Sequence, residues 1–186
     1  MKTITLITGN QHKADFLQKH LGRKIDHLAL DLDEIQSLDL REIAEHKVRQ
    51  AYKHVKGAVL VEDVSLTINT MGKLPGPFIK WFVNELGNDG ICKLASLYED
   101  REANVAIVYA YFDGKILKFF DGSEKGTIAK QPRGTGGFGW NPIFIPADSN
   151  KTYAEMDEEE TAQFSLRSPV VPQIRQFLDE LDKNKA

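Results

Sequence analysis

The chain has 186 residues, enough for one domain, or for two lobes sharing a cleft, around a proper hydrophobic core. Hydrophobic residues make up 41% and charged residues 27%, and the net charge of −3 comes from interspersed signs, which argues against a duplex nucleic-acid binder with a broad basic surface. Cys92 is the only cysteine, which excludes an intrachain disulfide and an all-cysteine zinc site. The apolar run before Gly9 is too short for a signal peptide and no stretch approaches a membrane span, so a cytoplasmic protein without a membrane partner is expected.

Thr3 to Thr8 is β-branched and apolar and stops at Gly9-Asn10, predicting a buried first strand. Residues 12–21 carry Ala14, Phe16, Leu17 and Leu21 among polar neighbours, predicting an amphipathic helix that ends at Gly22. A second strand fits residues 27–32. Leu40, Ile43, Ala44, Val48, Ala51 and Val55 recur at three- and four-residue steps, which predicts a helix over 40–55 ended by Gly57. Residues 58–61 form a short buried strand delivering Glu62 and Asp63. This alternation of strand and helix implies an α/β core with parallel pairing.

Residues 65–69 read as a strand, and 78–86 and 89–97 as helices, with Cys92 on a packed face. Residues 103–112 and 116–120 flank Asp113-Gly114, a hairpin signal. A strand at 124–129 leads into the glycine-rich loop 134–139. The acidic run Asp157–Glu160 reads as a solvated face. The last helix is predicted over 169–182, with Ser168 as N-cap and Pro169 at its first position.

A tight strand-to-helix turn exposes backbone N–H groups at the positive end of a helix, which suits a phosphate. In Thr8-Gly9-Asn10-Gln11-His12-Lys13, Gly9 lets the backbone approach a ligand and Lys13 supplies a cation; the spacing is not that of a Walker loop. Lys47 stands among Glu42, Glu45 and Arg49, where a solvated lysine is the plain expectation. Glu34 follows one strand and Glu62-Asp63 end another, where open α/β sheets bind ligands and where carboxylates hold magnesium. In Gly134-Thr135-Gly136-Gly137-Phe138-Gly139-Trp140-Asn141-Pro142, an aromatic beside a flexible loop either stacks on a nucleobase or packs the loop onto the core. The five histidines show no metal-ligand spacing.

Taken together, these segments resemble the inosine triphosphate pyrophosphatase family. The matching stretches, in family order, run from Ile7-Thr8-Gly9-Asn10 with Lys13 through Leu32–Gln36, Ala44–Lys47, Leu60–Asp63 and Leu74–Phe82 to Pro132–Gly134, Gly137–Trp140 and Thr152–Met156. The resemblance implies an elongated two-lobed mixed α/β fold with a central substrate cleft, a homodimer, and magnesium as cofactor. It implies hydrolysis of non-standard purine nucleoside triphosphates such as ITP, dITP or XTP to monophosphate and pyrophosphate. Thr8, Gly9, Asn10, Lys13 and Lys47 would then bind the phosphates. Glu34 and Asp63, with Glu62 assisting, would hold magnesium; Asp63, Lys13 and Lys47 would be catalytic, with Asp63 helping to activate water. Phe138, Gly139, Trp140, Asn141 and Arg167 would meet the base.

Four positions depart from the family pattern: Val64 for a serine or threonine, Asn141 for an aspartate, Thr161 for a lysine and Leu166 for a histidine. Val64 brings no hydroxyl beside Asp63; the other three fall where the family contacts the nucleotide, so the phosphate end is kept and the base preference is expected to change. The alternative is a nucleotide-binding family member with weak or no catalysis.

Overall fold

The computed structural model describes residues 3–183. In chain order it carries β1 (Thr5–Ile7), α1 (Gln11–Leu21), β2 (Asp26–Leu28), α2 (Leu40–Val55), β3 (Val59–Ile68), β4 (Pro75–Gly76), α3 (Ile79–Ala95), β5 (Glu102–Phe112), β6 (Leu117–Ile128), β7 (Phe144–Pro146), α4 (Glu158–Phe164) and α5 (Val171–Lys183). Two units divide these elements. The first holds residues 3–63, Ile107–Gly122 and 169–183; the second holds Val64–Ala106 and Ser123–Ser168. The strands β3, β5 and β6 each run on from one unit into the other.

In the first unit β1 pairs in parallel with β2 on one side and with β3 on the other, as the strand–helix alternation predicts. The apolar stripe of α2 closes one face: Ala44, Val48 and Ala51 pack with Ile7, Val59, Val61, Val108 and Ala110. Each such side chain taken wholly out of water is worth roughly 1.5–3 kcal/mol for the larger aliphatics, and this burial fixes α2 on the sheet. On α1 the buried residues are Ala14, Leu17 and Leu21, and α1 packs against α5. Tyr111 and Phe120 both meet Phe177 of α5 edge-on.

Strand alternation then decides which face each residue serves. Val59 and Val61 face α2, so Asp63 shares their side and Glu62 takes the opposite one. Likewise Val108 and Ala110 face α2, and Tyr109 does not. The β1 ladder ends at Ile7 opposite Val61, so Glu62 and Asp63 lie just beyond the carboxyl end of β1.

In the second unit Leu66 and Thr67 of β3 pair antiparallel with β4, and residues 126–128 of β6 pair antiparallel with β7. Cys92 is buried on α3, and burial pushes its thiol up to about 11, with Arg101 opposing and Asp89 adding, so it packs as an inert small apolar group.

Several elements differ from the sequence expectation. The strands expected at 58–61 and 65–69 are one, β3, because backbone pairing continues through polar residues that interrupt the apolar pattern. The strands expected at 116–120 and 124–129 are likewise one, β6. By contrast, the two helices expected at 78–86 and 89–97 stand as the two parts of α3, separated at Gly87, whose φ of 65° no helix interior adopts. Lys56, not Gly57, ends α2: it takes φ 52° and its N–H donates to the Tyr52 carbonyl. The acidic run is exposed at 157–159 as expected, and it also forms the N-cap and first turn of α4, with Asp157 and Glu160 making a reciprocal capping box. Finally, α5 starts at Val171; burial of Val170 and Val171 places the start there, and the Val170 carbonyl accepts the Ile174 N–H at 3.1 Å.

Candidate active site

The turn after β1 is built by its own side chains. Thr8 Oγ1 accepts the Asn10 N–H at 3.0 Å, and Asn10 Oδ1 accepts the Lys13 N–H at 3.3 Å, so Asn10 is the N-cap of α1. Beyond its two chain neighbours, a Cβ added at Gly9 would meet no atom within 4 Å, so packing does not demand the glycine. His27 lies on β2, and its Nε2–H donates to the Thr8 carbonyl at 2.6 Å. Metal-ligand spacing among the histidines does not reveal this tie, which the parallel pairing of β1 and β2 brings about.

Lys47 is not the solvated lysine expected from its charged neighbours. It falls on the stripe Ala44, Lys47, Val48, Ala51, where the small alanines let its stem run along the sheet, and its side chain is only 15% exposed. Its ammonium stands 2.9 Å from Asp63 Oδ2 and 3.0 Å from Glu34 Oε1. Burial works against the Lys47 charge, but Asp63 and then Glu34 outweigh it, and the net effect holds the lysine above its ordinary range. Glu34 remains 48% exposed on the segment after β2. That segment is tied to α2 by Gln50, which accepts the Asp33 N–H at 3.1 Å and donates to Asp33 Oδ2 at 3.3 Å.

On the opposite face of the sheet, Lys13 Nζ stands 2.9 Å from Glu62 Oε1, and the Tyr109 hydroxyl donates to Glu62 Oε2. Two adjacent carboxylates thus serve two different lysines. Among the described residues no three of His, Cys, Asp and Glu gather into a metal-holding group, and alternation explains why Glu62 does not join Glu34 and Asp63. The pair Glu34 and Asp63 does converge on one cation, the Lys47 ammonium.

The remaining expected residues stand in the second unit. Gly134, at φ 81°, lies against the Ala154 backbone, where a Cβ would come within 2.4 Å; only glycine fits. The loop is pinned there: Gly136 N–H donates to the Ala154 carbonyl, Thr152 Oγ1 to the Arg133 carbonyl, and the Gly139 carbonyl accepts Asn88 Nδ2–H. Phe138 is half-buried, with the Arg167 guanidinium 5.7 Å from its ring centroid. Trp140 packs with Phe144 and Tyr153 at 5.9 and 6.0 Å, the packing role rather than a lone platform. The Asn141 amide lies against Gly137, where a Cβ would meet its Nδ2 at 2.0 Å. Leu166 is a core side chain, 4% exposed, while Thr161 on α4 and Val64 on β3 are half-buried.

Residues 4–177 match the family model described as the Ham1 family. This chain belongs to the Ham1 family. Among its relatives, "Inosine triphosphate pyrophosphatase" of Schizosaccharomyces pombe is 39% identical, the match covering 99% of this chain and 98% of the relative. "Inosine triphosphate pyrophosphatase 2" of Trypanosoma cruzi is 38% identical over 92% of this chain and 90% of its own. The solved structure of a HAM1 protein from Coxiella burnetii superposes with a TM-score of 0.85 at 26% identity, covering 97% of this chain and 100% of that one. The mixed α/β fold expected from the sequence is therefore the Ham1 fold. Among the described residues no helix is long and apolar enough to cross a membrane.

Proposed function

We propose that this Ham1 chain hydrolyses non-standard purine nucleoside triphosphates, ITP, dITP and XTP among them, between the α- and β-phosphates to give monophosphate and pyrophosphate. The relatives' names supply the reaction class. The observation that carries the reading is the Lys47 ammonium held between Glu34 and Asp63 beyond the end of a parallel strand. A scaffold gains little from such an arrangement, since a part-buried charge needs compensation that an apolar side chain would not.

Magnesium fits this donor set, because Glu34 and Asp63 offer hard oxygens converging on one cation, and magnesium takes one or two carboxylates with waters and substrate phosphates. When bound it neutralises phosphate charge and orients the transferred group. Glu62 contributes at one remove, by holding Lys13. Lys13, Lys47, the Thr8-Gly9-Asn10 turn and the N-terminus of α1 bind phosphate oxygens and offset their charge. Asp63, oriented by its bond from Lys47, accepts a proton from the attacking water. Phe138 stacks on the base, with Gly139, Asn141 and Arg167 completing the base-reading set and Trp140 packing the loop that carries them. The buried Leu166 supports a changed base preference, since a core leucine makes none of the hydrogen bonds a histidine would. The working form is a cytoplasmic homodimer; the exposed Trp81 offers an apolar surface in keeping with this.

The test is a substrate panel. Purified protein with magnesium is given ITP, dITP, XTP, dUTP and the standard triphosphates, and pyrophosphate release is followed. Release is expected from the inosine and xanthosine nucleotides. No release from any member overturns the reading, and tight triphosphate binding without turnover replaces it with nucleotide binding alone.

A further inference from the structure

We propose that Tyr109 is a positioning residue for phosphate binding: its hydroxyl locks Glu62, and Glu62 in turn sets where Lys13 presents its ammonium. The inference rests on the reading of Lys13 as a phosphate-binding lysine. Tyr109 is fully buried on β5, the largest side chain wholly inside the core among the described residues, and alternation turns it to the face where Glu62 lies. Packing accounts for its ring but not for its hydroxyl, which must find a partner when buried. That partner is Glu62 Oε2.

Glu62 is 5% exposed, so its carboxylate requires donors on both oxygens. Lys13 supplies one to Oε1 and Tyr109 supplies one to Oε2. The three residues differ in stiffness. Lys13 has a long flexible stem with three N–H donors, and the terminal torsion of Glu62 is broad. Tyr109 has a ring clamped in the sheet. The hydroxyl therefore passes the rigidity of β5 to the carboxylate, and through it to the amine. Lys13 can keep one N–H on Glu62 while its others reach a phosphate, and small misplacement of such a group is costly. Nothing in the spacing of residues 13, 62 and 109 announces this chain of bonds.

The experiment compares wild type, Tyr109→Phe, Lys13→Ala and the double variant. In ligand-free protein, the rate at which an amine-reactive reagent labels Lys13 is read by mass spectrometry, with Lys47 as internal reference. Tyr109→Phe is expected to raise Lys13 labelling several-fold and leave Lys47 unchanged. With ITP, Tyr109→Phe is expected to raise KM about tenfold with kcat nearly unchanged, the size of a lost hydrogen bond to a charged group. In the Lys13→Ala background the same change is expected to have no further effect. A merely structural role would instead lower the melting temperature and the active fraction, reducing apparent kcat at constant KM. Glu62→Gln tests the chain from its middle and is expected to release Lys13 to the reagent as well. Unchanged Lys13 labelling in both variants, or a Tyr109→Phe effect that persists without Lys13, overturns the inference. Absence of ITP hydrolysis by wild type overturns the proposed function instead, and the labelling result still decides whether Tyr109 positions Lys13.

Discussion

Lys47 keeps its charge where burial opposes it, because Asp63 and Glu34 lie within 3.0 Å and together outweigh the loss of water. Its proton is therefore held more tightly in the folded chain than at the ordinary value of 10.5. For a cation whose folded value is raised, the stabilisation is fully present below the unfolded value and is lost as pH rises through the folded one. The melting temperature of wild type relative to Lys47→Met is thus expected to stay level up to about pH 10.5 and to converge above it, as followed by circular dichroism. A gap that closes well below that pH would show that Lys47 is not held by its two carboxylates. Leu166, which stands where the family pattern has a histidine, is a buried core side chain and so offers a nucleotide none of a histidine's hydrogen bonds.

Lys56 shows how an element is ended by position as much as by residue type. It takes the left-handed conformation at the end of α2 although Gly57 follows it. That conformation costs a non-glycine residue roughly 1–2 kcal/mol, while glycine gives back roughly 0.5–1 kcal/mol in the flexibility it adds to the unfolded chain. Lys56→Gly is therefore expected to stabilise the protein by about 0.5–1 kcal/mol, read as a raised urea midpoint at unchanged slope. A lowered midpoint would mean that the lysine side chain contributes more than its backbone costs. The helices α1 and α2 were legible to within a residue or so, because their periodic apolar stripes are what bury them. The continuity of β3 and β6 was not, since a ladder is set by the neighbouring strand and carries on through polar residues. Short pairings such as β4 and β7 leave no periodic trace at all. The start of α4 was written in the sequence as Asp157 and Glu160, a capping pair hidden inside what reads as a charge run. The site followed the same rule: each of Lys13, Glu34, Lys47, Glu62 and Asp63 is visible as a candidate, but which lysine meets which carboxylate depends on strand alternation. Tyr109 was invisible because a tyrosine in an apolar strand reads as core.

Across the whole molecule the candidate residues sort by unit, and the sorting matches the chemistry each set offers. Lys13, Glu34, Lys47, Glu62 and Asp63 belong to the first unit, and Phe138, Trp140, Asn141 and Arg167 to the second. The first set is made of charges, which on the proposed reading answer a triphosphate whatever base it bears. The second joins an aromatic ring to a guanidinium and a pinned glycine loop, which on the proposed reading answer flat, hydrogen-bonding rings. Substitutions in the two units should therefore differ in kind and not only in size. Lys13→Ala is expected to lower kcat/KM by a similar factor for ITP, XTP and the standard triphosphates, because every substrate loses the same phosphate contact. Phe138→Ala removes a stacking surface worth about 1–3 kcal/mol per base, and Arg167→Ala removes the cation that lies over that ring. Because stacking and hydrogen bonding vary from base to base, both are expected to reorder the substrates. Steady-state kinetics on the same panel checks this. A uniform loss across bases for all three variants would remove the base-reading assignment from the second unit while leaving the phosphate assignment of the first intact.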